Sequence, residues 1–180
     1  NTPRQILLNQ AMGFDSPRFA HLSMILGYDK SRLSKRHGAE SVKELKGEGY
    51  LSEAVINYLS LLGWSNPPLP PFTKGGRGGI GEIMLLPDII KNFSIERVSK
   101  SPAVFDIKKL KWINSHYIRN KDIAELTDLA HPFLTKAGIS VDTVDKNWLY
   151  KVVDTIRDNI ETLSEIDKYA RIFFDEIIKI

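Results

Sequence analysis

The 180-residue sequence has no cysteine, which excludes a disulfide framework and any thiolate-held metal and suits a reducing, cytoplasmic setting. It has no run near the roughly 20 apolar residues of a membrane span. Its first residues, "NTPRQILLNQ", lack the charged, apolar and small-residue regions of a signal peptide. No membrane partner is expected. The four histidines, His21, His37, His116 and His131, share no metal-ligand spacing, so no metal site is expected, and His21 reads as a satisfied structural residue. No Ser/His/Asp or paired-carboxylate arrangement stands out, and no repeat of fixed period is visible. Charge of one sign is also scarce. Lys and Arg number 25 against 22 Asp and Glu, a net +3 that permits a polyanionic partner without demanding one.

What is present is helical periodicity. Ile6, Leu7, Ala11 and Met12 form a short stripe ending at Gly13. "FAHLSMIL", residues 19–26, reads as a buried strand or tight apolar segment between Pro17 and Gly27. Ser41 and Glu44 have capping-box spacing for a brief helix stopped by Gly47 and Gly49. Ser52 is placed to cap the next, with Ala54, Val55, Tyr58, Leu59 and Leu62 as its stripe up to Gly63. Residues 65–81, "SNPPLPPFTKGGRGGIG", hold four prolines and then five glycines and read as a loop or inserted linker.

From Leu85 the pattern is helical to the end. Asp106 caps a helix with Ile107, Leu110, Trp112, Ile113 and Tyr117 as core candidates. Asn120 opens another, with Ile123, Leu126 and Leu129, that breaks at Pro132, and a further short helix runs to Gly138. Asp145 opens a longer helix carrying Leu149, Val152, Val153, Ile156 and Ile160. The last starts after Ser164, with Asp167 completing a box-like cap and Ile166, Tyr169, Phe173 and Ile177 together.

The sharpest local feature is "KSRLSKRHGA", residues 30–39. Arg32, Lys35 and Arg36 flank the Ser34 hydroxyl, a donor set suited to the oxyanions of a polyphosphate, and His37 stands beside it. Charge alone also fits a solvated turn.

The stretch "FAHLSMILGYDKSRLSKRHGA" resembles the segment holding the KMSKS-type signature of class I aminoacyl-tRNA synthetases, in the form found in bacterial-type glutamyl-tRNA synthetases. Arg32, Leu33, Ser34, Lys35 and Arg36 stand at the five signature positions. "NTPRQILLNQAMG", "SVKELKGEGYLSEAVINYLSLLGWS", "IERVSKSPAVFDIKKLKWINSHYIR" and "TLSEIDKYARIFF" resemble, in order, the lead-in, the stem-contact region and the helical anticodon-binding region of that family.

The resemblance implies a mainly α chain, a helical stem-contact region followed by a helical-bundle anticodon-binding region, with at most one or two short strands near the N-terminus. It implies three parts: 1–37, the end of the catalytic domain with the signature loop; 38–118, the stem-contact domain with its insert at 65–81; and 119–180, the first part of the anticodon-binding domain. It further implies a C-terminal fragment of a glutamate-tRNA ligase that supplies the ATP-closing loop and tRNA-binding helices and is inactive alone. The different-class alternative is a non-catalytic tRNA-binding helical module of synthetase ancestry.

The implied partners are glutamate, ATP with Mg2+, and tRNA for glutamate, with glutamine tRNA left open. The family resemblance also implies a monomer. Lys35 and Ser34 take the catalytic role, with Arg32, Ser34, Lys35 and Arg36 on ATP and Gly38 letting the loop swing. Lys108, Lys109, Lys111 and Arg119 are the candidates for tRNA phosphates, each as readily an idle solvated charge.

Overall fold

A computed structural model describes residues 1–34, 41–64 and 82–174. Its elements in chain order are α1 (Thr2–Ala11), β1 (Ile25–Leu26), α2 (Val42–Gly47), α3 (Ser52–Leu61), α4 (Leu86–Asn92), β2 (Ala103–Val104), α5 (Ile107–Asn120), α6 (Ile123–Lys136), α7 (Lys146–Ile156) and α8 (Ile166–Phe174). The chain is mainly helical, with one two-stranded parallel sheet that pairs Ile25 with Ala103 and Leu26 with Val104. The insert at 65–81, the residues Lys35 to Glu40 and Ile177 lie outside the described residues.

The helices begin where local chemistry supplies an acceptor for their first free N–H groups. Ser41 and Glu44 form a complete capping box, the Glu44 N–H donating to Ser41 Oγ at 3.2 Å and the Ser41 N–H to Glu44 Oε2 at 2.6 Å. Asp106 Oδ1 accepts from Lys108 and Lys109 N–H at 2.9 and 3.3 Å. Asp145 Oδ1 accepts from Trp148 N–H at 2.9 Å.

Several boundaries differ from the sequence reading. Leu51, not Ser52, is the N-cap of α3 and no side chain caps it. Instead, the Leu51 N–H is taken by a residue of another helix, Asn114, whose Oδ1 lies at 2.8 Å. Asp122, not Asn120, caps α6. Ser164 falls within a 3-10 turn that runs into α8, and the Glu161 N–H is met by Glu165 Oε2 at 2.9 Å, so no Ser164–Asp167 box forms.

Pro132 does not break α6, which continues to Lys136. Proline costs the helix the bond to the carbonyl four residues back, but Leu126, Ala130 and Leu134 are fully buried on both sides of it and hold the segment straight through. Gly138, at φ +80°, then stops it as expected.

The core joins α3, α5, α6, α7 and α8. Tyr58, Leu110, Ile113, Ile118, Leu126, Leu134, Val153, Ile156, Ile160 and Ile166 are almost wholly buried. Trp112 and Leu59, expected inside, are exposed. Asn57 on α3 and Asn114 on α5 are buried among the apolar residues of this core. Asn57 Nδ2 donates to the Glu82 carbonyl at 2.8 Å, while its Oδ1 accepts from Met84 N–H at 2.8 Å. Asn114 Nδ2 donates to the Glu161 carbonyl at 2.6 Å, so this one side chain clamps the α2–α3 connection to the segment before α8. Fully partnered, buried amides rigidify a core instead of destabilising it.

The amino-terminal stretch has no such interior. No residue of α1 is buried. Of residues 19–26 only Ile25 and Leu26 pair as strand, and Leu22 and Met24 point into solvent, because a strand of two residues offers the stretch before it nothing to lie against.

Candidate functional site

The basic segment begins as a tight turn. Gly27 N–H donates to the Ser31 carbonyl at 2.9 Å, Lys30 N–H to the Gly27 carbonyl at 3.0 Å, and Leu33 N–H to the Ile25 carbonyl at 3.2 Å. Leu26 and Arg32 face each other as an antiparallel bridge. Two residues make this possible. Asp29 Oδ1 accepts from Ser31 N–H at 2.9 Å, the side-chain mimic of a backbone turn that Asp favours. Lys30 sits at φ +60°, a left-handed conformation costing a non-glycine residue roughly 1 kcal/mol. The described bend therefore lies at 27–31, ahead of the signature residues, and delivers Arg32 and Ser34, both exposed, on the return limb. Lys35, Arg36, His37 and Gly38 lie outside the described residues.

The turn is tied to the helical body at its other edge. β1 pairs with β2, and the Phe105 N–H immediately after β2 donates to the Leu26 carbonyl at 2.8 Å. Ser23 Oγ donates to the Lys100 carbonyl at 2.6 Å. The next residue, Asp106, caps α5, so the signature limb and the first turn of α5 are neighbours through a two-residue sheet.

The four basic candidates on α5 do not form one patch. Lys109 Nζ is 2.7 Å from Glu82 Oε1. Lys111 Nζ lies 3.6 and 3.5 Å from Glu161 and Glu165. Arg119 Nε lies 3.9 Å from Asp158, and its Nη2 donates to the Asp158 carbonyl at 3.1 Å. Lys108 alone of the four has no acidic partner among the described residues. It is about 16 Å along the helix axis from Arg119, at ~1.5 Å per residue. The cleft beside Arg119 also contains Lys168, yet Asp158, Glu161 and Glu165 line it too, which cancels the field a polyanion needs.

Burial and bonding perturb a few groups. Burial pushes the Tyr58 phenol up to about 12, and the Tyr117 phenol likewise to about 12. Burial also works to raise Glu53, but hydrogen bonds led by that from Lys121 outweigh it and hold the carboxyl below its ordinary value. Lys121 is raised in turn, first by its hydrogen bond to Glu53 at 2.7 Å. None of these groups lies on the turn. His21, read as a satisfied structural residue, is exposed and has Thr2 Oγ1 as its partner at 3.1 Å. Among the described residues no three His, Asp or Glu gather where they could hold a metal ion, and no helix is long and apolar enough to cross a membrane.

Residues 1–112 match the family model for the catalytic domain of class I tRNA synthetases (E and Q). The chain belongs to this family. It is 47% identical over 98% of its length to a glutamate–tRNA ligase of Moorella thermoacetica, of which it covers 34%. It is 50% identical over 97% of its length to one of a Sulfurihydrogenibium species, again covering 34% of that protein. The crystal structure of the glutamate-tRNA synthetase from Elizabethkingia anophelis superposes with a TM-score of 0.72 at 27% identity, over 96% of this chain and 36% of that one. The chain thus spans about a third of the length of the relatives it matches.

These matches correct the functional expectation. A chain whose first 112 residues fit a catalytic-domain model, far past the signature loop, is not a C-terminal tRNA-binding fragment. The non-catalytic binding module falls with it. The two buried asparagines escaped the sequence reading, though one signal was available: Asn57 and Asn114 each interrupt an apolar helical face, "AVINYL" and "LKWINS".

Proposed function

We propose that this chain is a catalytic segment of a glutamate–tRNA ligase and that Arg32, Ser34, Lys35 and Arg36 receive the triphosphate of ATP. The observation that carries this reading is the 47% identity to a glutamate–tRNA ligase across 98% of the chain, through the basic turn and the helical body alike. Glutamate, ATP and tRNA are then the substrates. A carboxylate oxygen of glutamate attacks the α-phosphorus, the bond from that phosphorus to the bridging oxygen breaks, and pyrophosphate leaves with the electron pair. A ribose hydroxyl of the tRNA next attacks the adenylate carbonyl and AMP departs. Mg2+, which favours phosphate oxygens and water, arrives with the nucleotide.

In this reading the Lys35 ammonium meets the charge that grows on the leaving pyrophosphate as the bond breaks, and so stabilises the transition state more than bound ATP. Arg32 and Arg36 add to the same field and Ser34 contributes a hydroxyl. Lys108, the one α5 candidate with no acidic partner among the described residues, is the position we assign to a tRNA phosphate.

The test is Lys35→Ala in a full-length ligase carrying this sequence. Pyrophosphate exchange should fall by at least about 100-fold, with the circular dichroism spectrum and tRNA affinity nearly unchanged. Exchange within about twofold of wild type removes Lys35 from the chemistry.

A further inference from the structure

We propose that Tyr58 is a positioning residue for the nucleotide-facing turn, acting through the backbone of Asp106. This rests on the reading of Arg32 and Ser34 as ATP-facing. Leu22 and Met24 beside the turn are 71% and 60% exposed, and its sheet is two residues wide. Ser23 ties the approach to the turn to the Lys100 carbonyl, and β1 itself meets the helical body at residues 103–106.

That segment is fixed from beneath by one side chain. Tyr58 is 1% exposed, and its hydroxyl oxygen accepts the Asp106 N–H at 2.7 Å. Asp106 is the N-cap of α5, so its N–H has no partner within the helix. The Tyr58 ring also meets Phe105 edge to face, centroids 5.4 Å apart. Phe105 is the residue whose N–H donates to Leu26, and Leu26 bridges to Arg32. The path from Tyr58 to Arg32 thus runs through the Asp106 N–H bond to the Tyr58 hydroxyl, the Phe105 N–H bond to the Leu26 carbonyl, and the pairing of Leu26 with Arg32, which is held by the flanking bonds Gly27 N–H to Ser31 and Leu33 N–H to Ile25.

Tyr58→Phe keeps the ring and deletes only the acceptor. If the Asp106 N–H loses its partner, that end of β2 is freed and the turn spends less time in the geometry that meets ATP. The consequence falls on turnover, because an ATP contact strongest in the transition state needs the turn correctly placed at that moment.

In a full-length ligase carrying this sequence, Tyr58→Phe should lower kcat for pyrophosphate exchange about tenfold, within the range expected when a buried donor loses its partner. KM for ATP should stay within about threefold. Tyr117→Phe, which removes a part-buried hydroxyl bonded to the Met84 carbonyl and to Asn57 Oδ1 that does not reach the turn, should stay within about twofold. An equal loss in both variants would mean general loosening and would overturn the proposal.

Combining Tyr58→Phe with Arg32→Ala should be little worse than Arg32→Ala alone, since both act on one contact, whereas full multiplication of the two losses also overturns it. The underlying functional reading is separately exposed. An Arg32→Ala enzyme with normal exchange removes the target of positioning and the ATP-facing assignment together. A crippled Arg32→Ala enzyme beside a normal Tyr58→Phe enzyme overturns the positioning alone. Phe105→Leu, which weakens the ring contact without touching the hydroxyl, supplies a second reading of the same tether and should lower kcat in the same direction. An unchanged kcat in both Tyr58→Phe and Phe105→Leu leaves no role for this path.

Discussion

In α5, Leu110, Ile113 and Ile118 are wholly buried, whereas in the first 34 residues Leu7, Leu22 and Met24 stand 65%, 71% and 60% exposed. Both regions carry apolar side chains at regular spacing. The difference is that α5 lies against α3 and the turn leading to α8, while α1 and the extended stretch after it have nothing of comparable size to bury against. Periodicity states which residues share a face, and burial requires a second surface to meet it. The helical body is accordingly the part where single atoms matter, and the amino-terminal stretch is the part where they should not.

The body's tightest point is Gly49, and it offers the largest expected effect. Its φ is +81°, and a Cβ there would lie 2.6 Å from both Cβ and N of Leu163. The Leu163 N–H also donates to the Gly49 carbonyl at 3.1 Å, so the two backbones cannot part without losing that bond. Gly49→Ala should destabilise the chain by about 3 kcal/mol or more, combining left-handed strain with overpacking. Urea unfolding measures it, and a loss under about 1 kcal/mol would show that the α2–α3 connection can slide away from Leu163.

A second contrast is chemical. The body contains two phenols raised by burial to about 12 from an ordinary value of 10.0. Because the folded value lies above the unfolded one, their contribution is complete below pH 10 and is lost as pH climbs toward 12. Lys121, raised by Glu53, acts in the same direction. Stability should therefore fall by on the order of 2 kcal/mol between about pH 9.5 and 11.5. The Tyr58→Phe, Tyr117→Phe double variant should show a visibly flatter profile. Parallel profiles would mean that both phenols ionise as freely folded as unfolded.

The features legible in advance were those decided within a few residues of chain. The Ser41–Glu44 box, the Asp106 and Asp145 caps, the stops at Gly13 and Gly138 and the stripes of α5 and α7 all depend on local spacing. What escaped depends on partners distant in sequence. Leu51 replaces Ser52 as a cap because Asn114, 63 residues on, takes its N–H. Pro132 is carried through α6 because core contacts on both sides compensate for its missing bond. The strand or tight apolar segment expected at 19–26 pairs over two residues only, because its parallel neighbour, Ala103–Val104, is equally short. At the candidate site the residue types were readable from 30–39, while the link to Tyr58 and Asp106 was not, since nothing local in "VINYLS" distinguishes a tyrosine that holds a distant backbone amide from one that merely fills space.

The smallest effect belongs to the other side of the comparison. Leu22→Ala and Met24→Ala remove the same kind of side chain whose loss from a core leaves a cavity and costs about 2 to 5 kcal/mol. At 71% and 60% exposure no cavity forms and little apolar area returns to water. Each variant of this chain should stay within about 0.5 kcal/mol of the parent in urea unfolding. A loss above about 1.5 kcal/mol at either site would require a buried contact for that side chain in solution, and the amino-terminal stretch would then have an interior after all.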